Sequence, residues 1–293
     1  MKLKPLSMSL MLAGAIAAAQ PLMAASSAAV VPHATSQSVP DPAQQVREVV
    51  RSLRANDLAA LVRAMVPPAK LQEIRQAYEL KRGEPTSPEE RAEFEEKLAR
   101  FTAPDAVDTL MAEIEPKLVE ARPQVAGATM MGIGAAQMAI ASPESDLTAD
   151  QRATLQAALP GIQRWVTTTD FLSSTSMRQA LTLITDAARS TGVANLDQLK
   201  MLSFEEVLAK AGSLLAASKQ AVRIYGLDLD AIAASAQFET LAIEGSTARV
   251  RTTVTVFDAP VSGEIELELV EGRWYGKHAL EEIDVEIDER SES

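Results

Sequence analysis

Two hydrophobic periods divide the chain. From residue 42 to about 226, apolar side chains recur at three- and four-residue spacing, and from about residue 238 they fall on every second position. The first pattern predicts helices and the second predicts strands. Asp41, Pro42 and the series Val46, Val49, Val50 and Leu53 read as a capped helix with Pro at its first position. Further helices are expected over residues 57–66 and 68–81. The next begins at Ser87, where Glu90 completes a capping box and Phe94, Leu98 and Phe101 share a face. The following helix should be kinked or divided at Pro116, because proline has no amide to donate.

Residues 127–142, GATMMGIGAAQMAIAS, carry no charged side chain. A phosphate loop is excluded, since Ile133 and Gly134 stand where Lys and Ser/Thr would be needed. A membrane span would need roughly 20 strongly apolar residues, and the uncharged stretch here is short and mostly Ala and Gly. Its flanks also have the wrong charge order, with Lys117 and Arg122 before it and Glu144, Asp146 and Asp150 after it. A helix apolar on all sides is expected to be buried. These residues therefore predict a central core helix in which methionines fill irregular gaps.

Beyond it, Thr148 and Gln151 form a second capping box, with Pro160 limiting the helix, and another helix ends near Gly192. Two helices are expected over residues 203–215 and 217–225, the second stopped by Gly226, and Asp228 caps a short one through Ala234.

The strand pattern places Val250, Thr252, Val254 and Val256 on one face and Arg249, Arg251, Thr253 and Thr255 on the other. Ile265, Leu267 and Leu269 are likewise opposed to Glu264, Glu266 and Glu268. With turns at 258–260 and at Glu271-Gly272, and a first strand in QFETLAIE, this is a four-stranded antiparallel β-meander with one apolar and one charged face. A two-residue turn at Glu271-Gly272 sets Leu269 opposite Trp274, Glu268 opposite Tyr275, Glu266 opposite Lys277 and Ile265 opposite His278. Trp274 and His278 are then expected on the apolar side. The fold class is α+β, a helical N-terminal and central part followed by the meander.

The ends add the organisation of the chain. Lys2 and Lys4 precede an apolar run over residues 6–19 and a small-residue zone, the layout of a secretory signal peptide over residues 1–25. Residues 26–41 are rich in Ser, Ala and Pro and read as a disordered leader. A helical region over 42–226, a sheet region over 227–281 packed on helices, and an acidic tail over 282–293 complete the expected organisation. The LAGA box at residues 12–15 lacks the cysteine a lipid anchor requires, so no stable membrane anchor is expected in the mature form.

Loss of Lys2 and Lys4 with residues 1–25 takes the formal charge from −12 to −14. Such a surface repels nucleic acid. The chain has no cysteine, and His278 is the one histidine of its body, so most nucleophilic and zinc chemistries have no residues to use. No cofactor, catalytic residue or metal site is expected.

A helical part followed by a curved meander, with YGLDLD leading into it and VEGRWYGK closing it, resembles the nuclear transport factor two-like cone fold, as found in uncharacterised exported bacterial proteins. The resemblance covers about residues 225–280. It implies a sheet curled around a pocket, in proteins that range from enzymes to binding and assembly modules.

These readings point to an exported, periplasmic, non-enzymatic binding or accessory protein. Its partner would be an unknown protein or a small apolar ligand of the envelope, with Trp274, His278 and Tyr225 as candidate ligand-binding residues. One alternative is a hydrolase or isomerase in which Tyr225, Asp228 or Asp230 assists His278, which requires these side chains to converge. Another is an inhibitor or immunity-type protein whose acidic surface, including the tail EEIDVEIDERSES, binds a basic partner.

Overall fold

The computed structural model describes residues 40–281, apart from Asp146 and the side chain of Asp150. The expected signal peptide, the leader as far as residue 39 and the tail from 282 lie outside the described residues. Helices run in the order α1 (Pro42–Arg54), α2 (Leu58–Met65), α3 (Pro68–Gly83), α4 (Pro88–Thr102), α5 (Ala106–Ala141), α6 (Ala149–Thr168), α7 (Ser174–Ser190), α8 (Leu196–Met201), α9 (Phe204–Ile224) and α10 (Leu229–Ala234). The strands β1 (Gln237–Glu244), β2 (Thr247–Val256), β3 (Ala259–Val270) and β4 (Arg273–Gly276) then form one open antiparallel meander in sequence order. The chain is α+β as its periodicity predicts.

Local chemistry starts the helices where the sequence places the caps. Asp41 accepts from the Ala43 amide at 3.0 Å, and reciprocal side-chain bonds close the boxes Ser87/Glu90 and Thr148/Gln151. Asp228 accepts from the Ala231 amide at 3.0 Å. Two proline expectations are corrected, for neither Pro116 nor Pro160 ends its helix. Pro116 and Pro123 lie inside the 36-residue α5 and Pro160 inside α6. All three are exposed, so the carbonyl that each leaves unbonded one turn earlier can take water instead. The two helices expected over 203–225 are one, α9.

The sheet carries the expected register. Arg249 opposes Glu266 and Arg251 opposes Glu264 across β2 and β3, and Leu269 opposes Trp274 across β3 and β4. The turn between β2 and β3 is Phe257-Asp258 rather than 258–260, with both residues at positive φ (48° and 66°), the geometry of a tight hairpin turn. Pro260 therefore belongs to β3. Thr255, opposite it, points its amide away from β3 and donates to Ser235 Oγ at 2.7 Å.

Packing joins the N-terminus to the sheet. Ala43 and Val46 of α1 form a buried cluster with Ala248, Val250, Leu267 and Trp274, so α1 covers the apolar face where the resemblance implied a pocket. A second cluster sets Leu58 of α2 against Leu208 and Leu215 of α9. Between them lies Lys219, whose buried ammonium donates to the carbonyls of Leu53 at 3.0 Å and Arg54 at 3.3 Å and pairs with Asp230. It supplies a cation at the C-terminal end of α1, where free carbonyls favour one. On the other flank α6 meets β3. Gly161 allows the approach: a Cβ there would stand 2.5 Å from Phe257 Cβ and 2.6 Å from its carbonyl oxygen.

Candidate functional site

The three sequence-derived candidates occupy three separate environments. Trp274 is fully buried, and its indole nitrogen donates to the carbonyl of Pro40 at 2.7 Å. Its partners are core residues of α1 and the sheet. Tyr225 closes α9 within an aromatic group: its ring stacks on Phe171 at 6.0 Å, and its carbonyl accepts from Trp165 Nε1 at 2.6 Å. Trp165 in turn stacks on Phe257 at 5.1 Å. This group ties α6 and α9 to the sheet turn.

His278 does not take the inward position expected of it. The ladder of β4 ends at Gly276, the chain turns helical at Lys277, and the imidazole is 88% exposed beside Glu281 at 3.3 Å. Lys277 still reaches Glu266 at 3.4 Å. The two-residue alternation holds only while the ladder lasts, and here it stops two residues early.

The carboxylates named with His278 are engaged elsewhere. Asp230 pairs with Lys219, and Asp228 caps α10 and pairs with Arg223 at 3.1 Å. Burial raises the pKa of the Tyr225 phenol first, and the Asp170 carboxylate raises it further. Among the described residues no group of three or more His, Asp or Glu side chains is placed to hold a metal ion.

The second half of α5 overturns the core-helix expectation. Of residues 123–141 only Thr129, Ile133, Gly134, Ala136 and Ile140 are partly or fully buried. Thr129, Ile133, Ala136 and Ile140 share one helical face, and α6 folds back against α5 beneath it: Arg152 donates to the carbonyls of Ile140 and, at 2.8 Å, Ser142. The opposite face is open. Met130, Met131 and Met138 are 68, 72 and 70% exposed, and a Cβ built on Gly127, Gly132 or Gly134 meets nothing within 4 Å. Composition shows that these residues avoid charge, but not what covers them. No described helix is long and apolar enough to cross a membrane.

On that open face Gly127, Met131, Gly134 and Met138 follow a spacing of four, three and four residues, which aligns them in one seam. Large and small positions alternate along it. Two exposed methionines leave apolar surface in water at a cost of about 1.5–3 kcal/mol each relative to burial, and a helical glycine costs about 1 kcal/mol relative to alanine. Nothing within the described fold offsets either cost.

A second surface is polar. Arg51 of α1, Arg63 of α2 and Arg273 of β4 line a groove of about 420 Å³ floored by Ser52, Ala55 and Ala60. Sequence reading missed it because its arginines come from three distant elements. Comparison with protein-family models, curated proteins and solved structures finds no match to this chain.

Proposed function

We propose that this chain is an exported, non-enzymatic binding or accessory protein whose ligand is another protein, engaged through the outer face of α5. The observation that carries this reading is the outward-facing, uncharged seam of Gly127, Met131, Gly134 and Met138, in which Gly127 and both methionines are exposed and Gly134 has open space beside it, on a helix whose other face is packed. Methionines adapt to irregular partner surfaces, and glycines admit a close helix backbone. A contiguous apolar face of this kind on a folded domain marks an interaction site. The partner surface is itself helical and apolar, since a seam of knobs and gaps matches the ridges of another helix.

Two observations weigh against the alternatives. Tyr225, Asp228, Asp230 and His278 are held in separate contacts, which opposes a carboxylate- and histidine-assisted enzyme. An apolar ligand against the sheet would have to displace α1 from Trp274.

The test is native mass spectrometry of the chain purified from the periplasm of its own host, alongside Met131→Glu/Met138→Glu. A protein that accompanies the wild type and is absent from the variant supports the reading. Equal recovery with both chains, or a small-molecule mass lost on denaturation in place of a protein, contradicts it.

A further inference from the structure

The outward seam of α5 is longer and more regular than its four central residues. Gln124 and Ala141 extend it by three residues at either end. The longer side chains are then Gln124, Met131 and Met138, and the short ones are Gly127, Gly134 and Ala141, each set repeating every seventh residue. Gly134 has open space beside it, and the other five are exposed. A sustained seven-residue repeat of this kind is the pattern by which one helix packs along another.

The order of long and short positions identifies the other helix. Turning the seam end for end about its midpoint, between Gly132 and Ile133, exchanges Gln124 with Ala141, Gly127 with Met138 and Met131 with Gly134. Each long side chain thus falls level with a short residue of an antiparallel copy, and every layer of the contact holds a similar volume. A parallel copy would set Met131 level with Met131 and Gly134 level with Gly134, crowding some layers and emptying others. Matching itself under a two-fold rotation is what an interface between identical chains requires; an unrelated partner makes no such demand. Charge agrees with this direction. Residues 123–143 carry none, so two chains of formal charge −12 can meet there without like charges face to face. Lys117, Glu120 and Arg122 leave the end before the seam net positive, and Glu144 makes the other end negative. Neither Lys117 nor Glu144 has an ion pair among the described residues. Antiparallel packing brings unlike ends together twice, whereas parallel packing would set Glu144 beside Glu144.

We infer that the partner helix is α5 of a second copy of this chain, packed antiparallel about a two-fold axis level with the midpoint between Gly132 and Ile133. The inference rests on the outer face of α5 being a docking surface, and it names the occupant. Residues 123–141 form a stretch about 28 Å long. Two helices in contact along it bury roughly 600–800 Å² in total, less than the roughly 1,200 Å² at which stable complexes begin. The pairing is therefore reversible and governed by concentration.

The test exploits the absence of cysteine from the chain, which makes any introduced thiol unique. Two purified chains, Gln124→Cys and an Ala141→Cys form lengthened by a tag, are mixed and joined with a short bis-maleimide. A concentration of about 0.2 mM lies above the micromolar range expected of so small a contact. In the antiparallel register residues 124 and 141 are level, whereas two copies of residue 124 stand about 25 Å apart along the axis. The mixed product should exceed either same-residue product by at least about tenfold, because a linker too short to span two sites does not join them. Adding Met131→Glu to both chains should abolish it. All three positions are exposed, and far-UV circular dichroism verifies that each variant is folded. A mixed product no more abundant than the same-residue ones, one indifferent to Met131→Glu, or no cross-linked dimer at all would each overturn the inference. After the last result, a different protein captured at Met131 in the chain's own host would leave the docking surface standing; no capture there would overturn both.

Discussion

The indole nitrogen of Trp274 and the main-chain carbonyl of Pro40 meet at 2.7 Å across 234 positions of sequence. The bond fixes the start of α1 over the last strand, and the ring fills the cluster that α1 shares with the sheet. Truncating Trp274→Ala should cost about 3–5 kcal/mol through lost burial and the cavity left behind. Trp274→Phe keeps most of the apolar volume but orphans the carbonyl, and should cost about 1–3 kcal/mol. Urea denaturation of both variants checks this order; equal, small effects would mean that the contact is marginal.

Two glycines should respond in opposite ways to the same substitution. Gly161→Ala drives a methyl group into the backbone of Phe257 and should destabilise by at least about 1–3 kcal/mol. Gly134→Ala meets open space and should stabilise the isolated protein by about 0.5–1 kcal/mol. Thermal unfolding separates the two signs. If the outer face of α5 receives a partner helix, Gly134→Ala should also weaken that association while raising the melting temperature.

Tyr275 is buried to 1% exposure, and its hydroxyl has no partner among the described groups. An unsatisfied buried hydroxyl contributes nothing to offset its lost hydration. Tyr275→Phe should therefore be neutral or stabilising by up to about 2 kcal/mol. A loss of stability in urea would show that the hydroxyl is satisfied in solution, for example by water.

How much of this was legible in the sequence follows from the range of each signal. Caps at Asp41, Ser87, Thr148 and Asp228 are local, as are the Glu271-Gly272 turn and the register that puts Leu269 opposite Trp274. All were readable from residues within one turn of each other. Even the unforeseen α8 carried such a mark, for Asn195 accepts from the Gln198 amide at 2.9 Å. What failed depended on neighbours distant in sequence. Residues 127–142 read as core because they lack charge, yet burial is decided by whether a second layer arrives, and among the described residues α6 covers one face and leaves the other open. His278 was assigned a face by extending a strand past its last paired residue. The arginine groove was invisible because Arg51 and Arg273 are brought together only by the packing of α1 on the sheet.

Stability should fall at both ends of the pH range. Burial holds the phenols of Tyr78, Tyr225 and Tyr275 above the ordinary tyrosine range. A group whose folded pKa is raised contributes stability that is complete below its unfolded value, about 10, and is lost as pH rises through the folded one. Glu206 has the opposite sign. The backbone amide of Ser203, and then its hydroxyl, hold this carboxyl below its ordinary value. Its contribution is complete above the unfolded value of about 4.3 and is lost as pH falls through the lowered folded one. Melting temperatures across pH should therefore decline on both limbs, with Glu206→Gln flattening the acid limb and Tyr275→Phe flattening part of the alkaline one.

The central claim is that the outer face of α5 is a protein-docking surface. It is tested most directly by placing a photoreactive amino acid at Met131 in the chain as produced in its own host, with the same probe at exposed Glu96 of α4 as the comparison. A discrete cross-linked protein at Met131, lost when Met138→Glu is added and absent at Glu96, is the predicted result. No cross-link at Met131, or the same products from both positions, would contradict it.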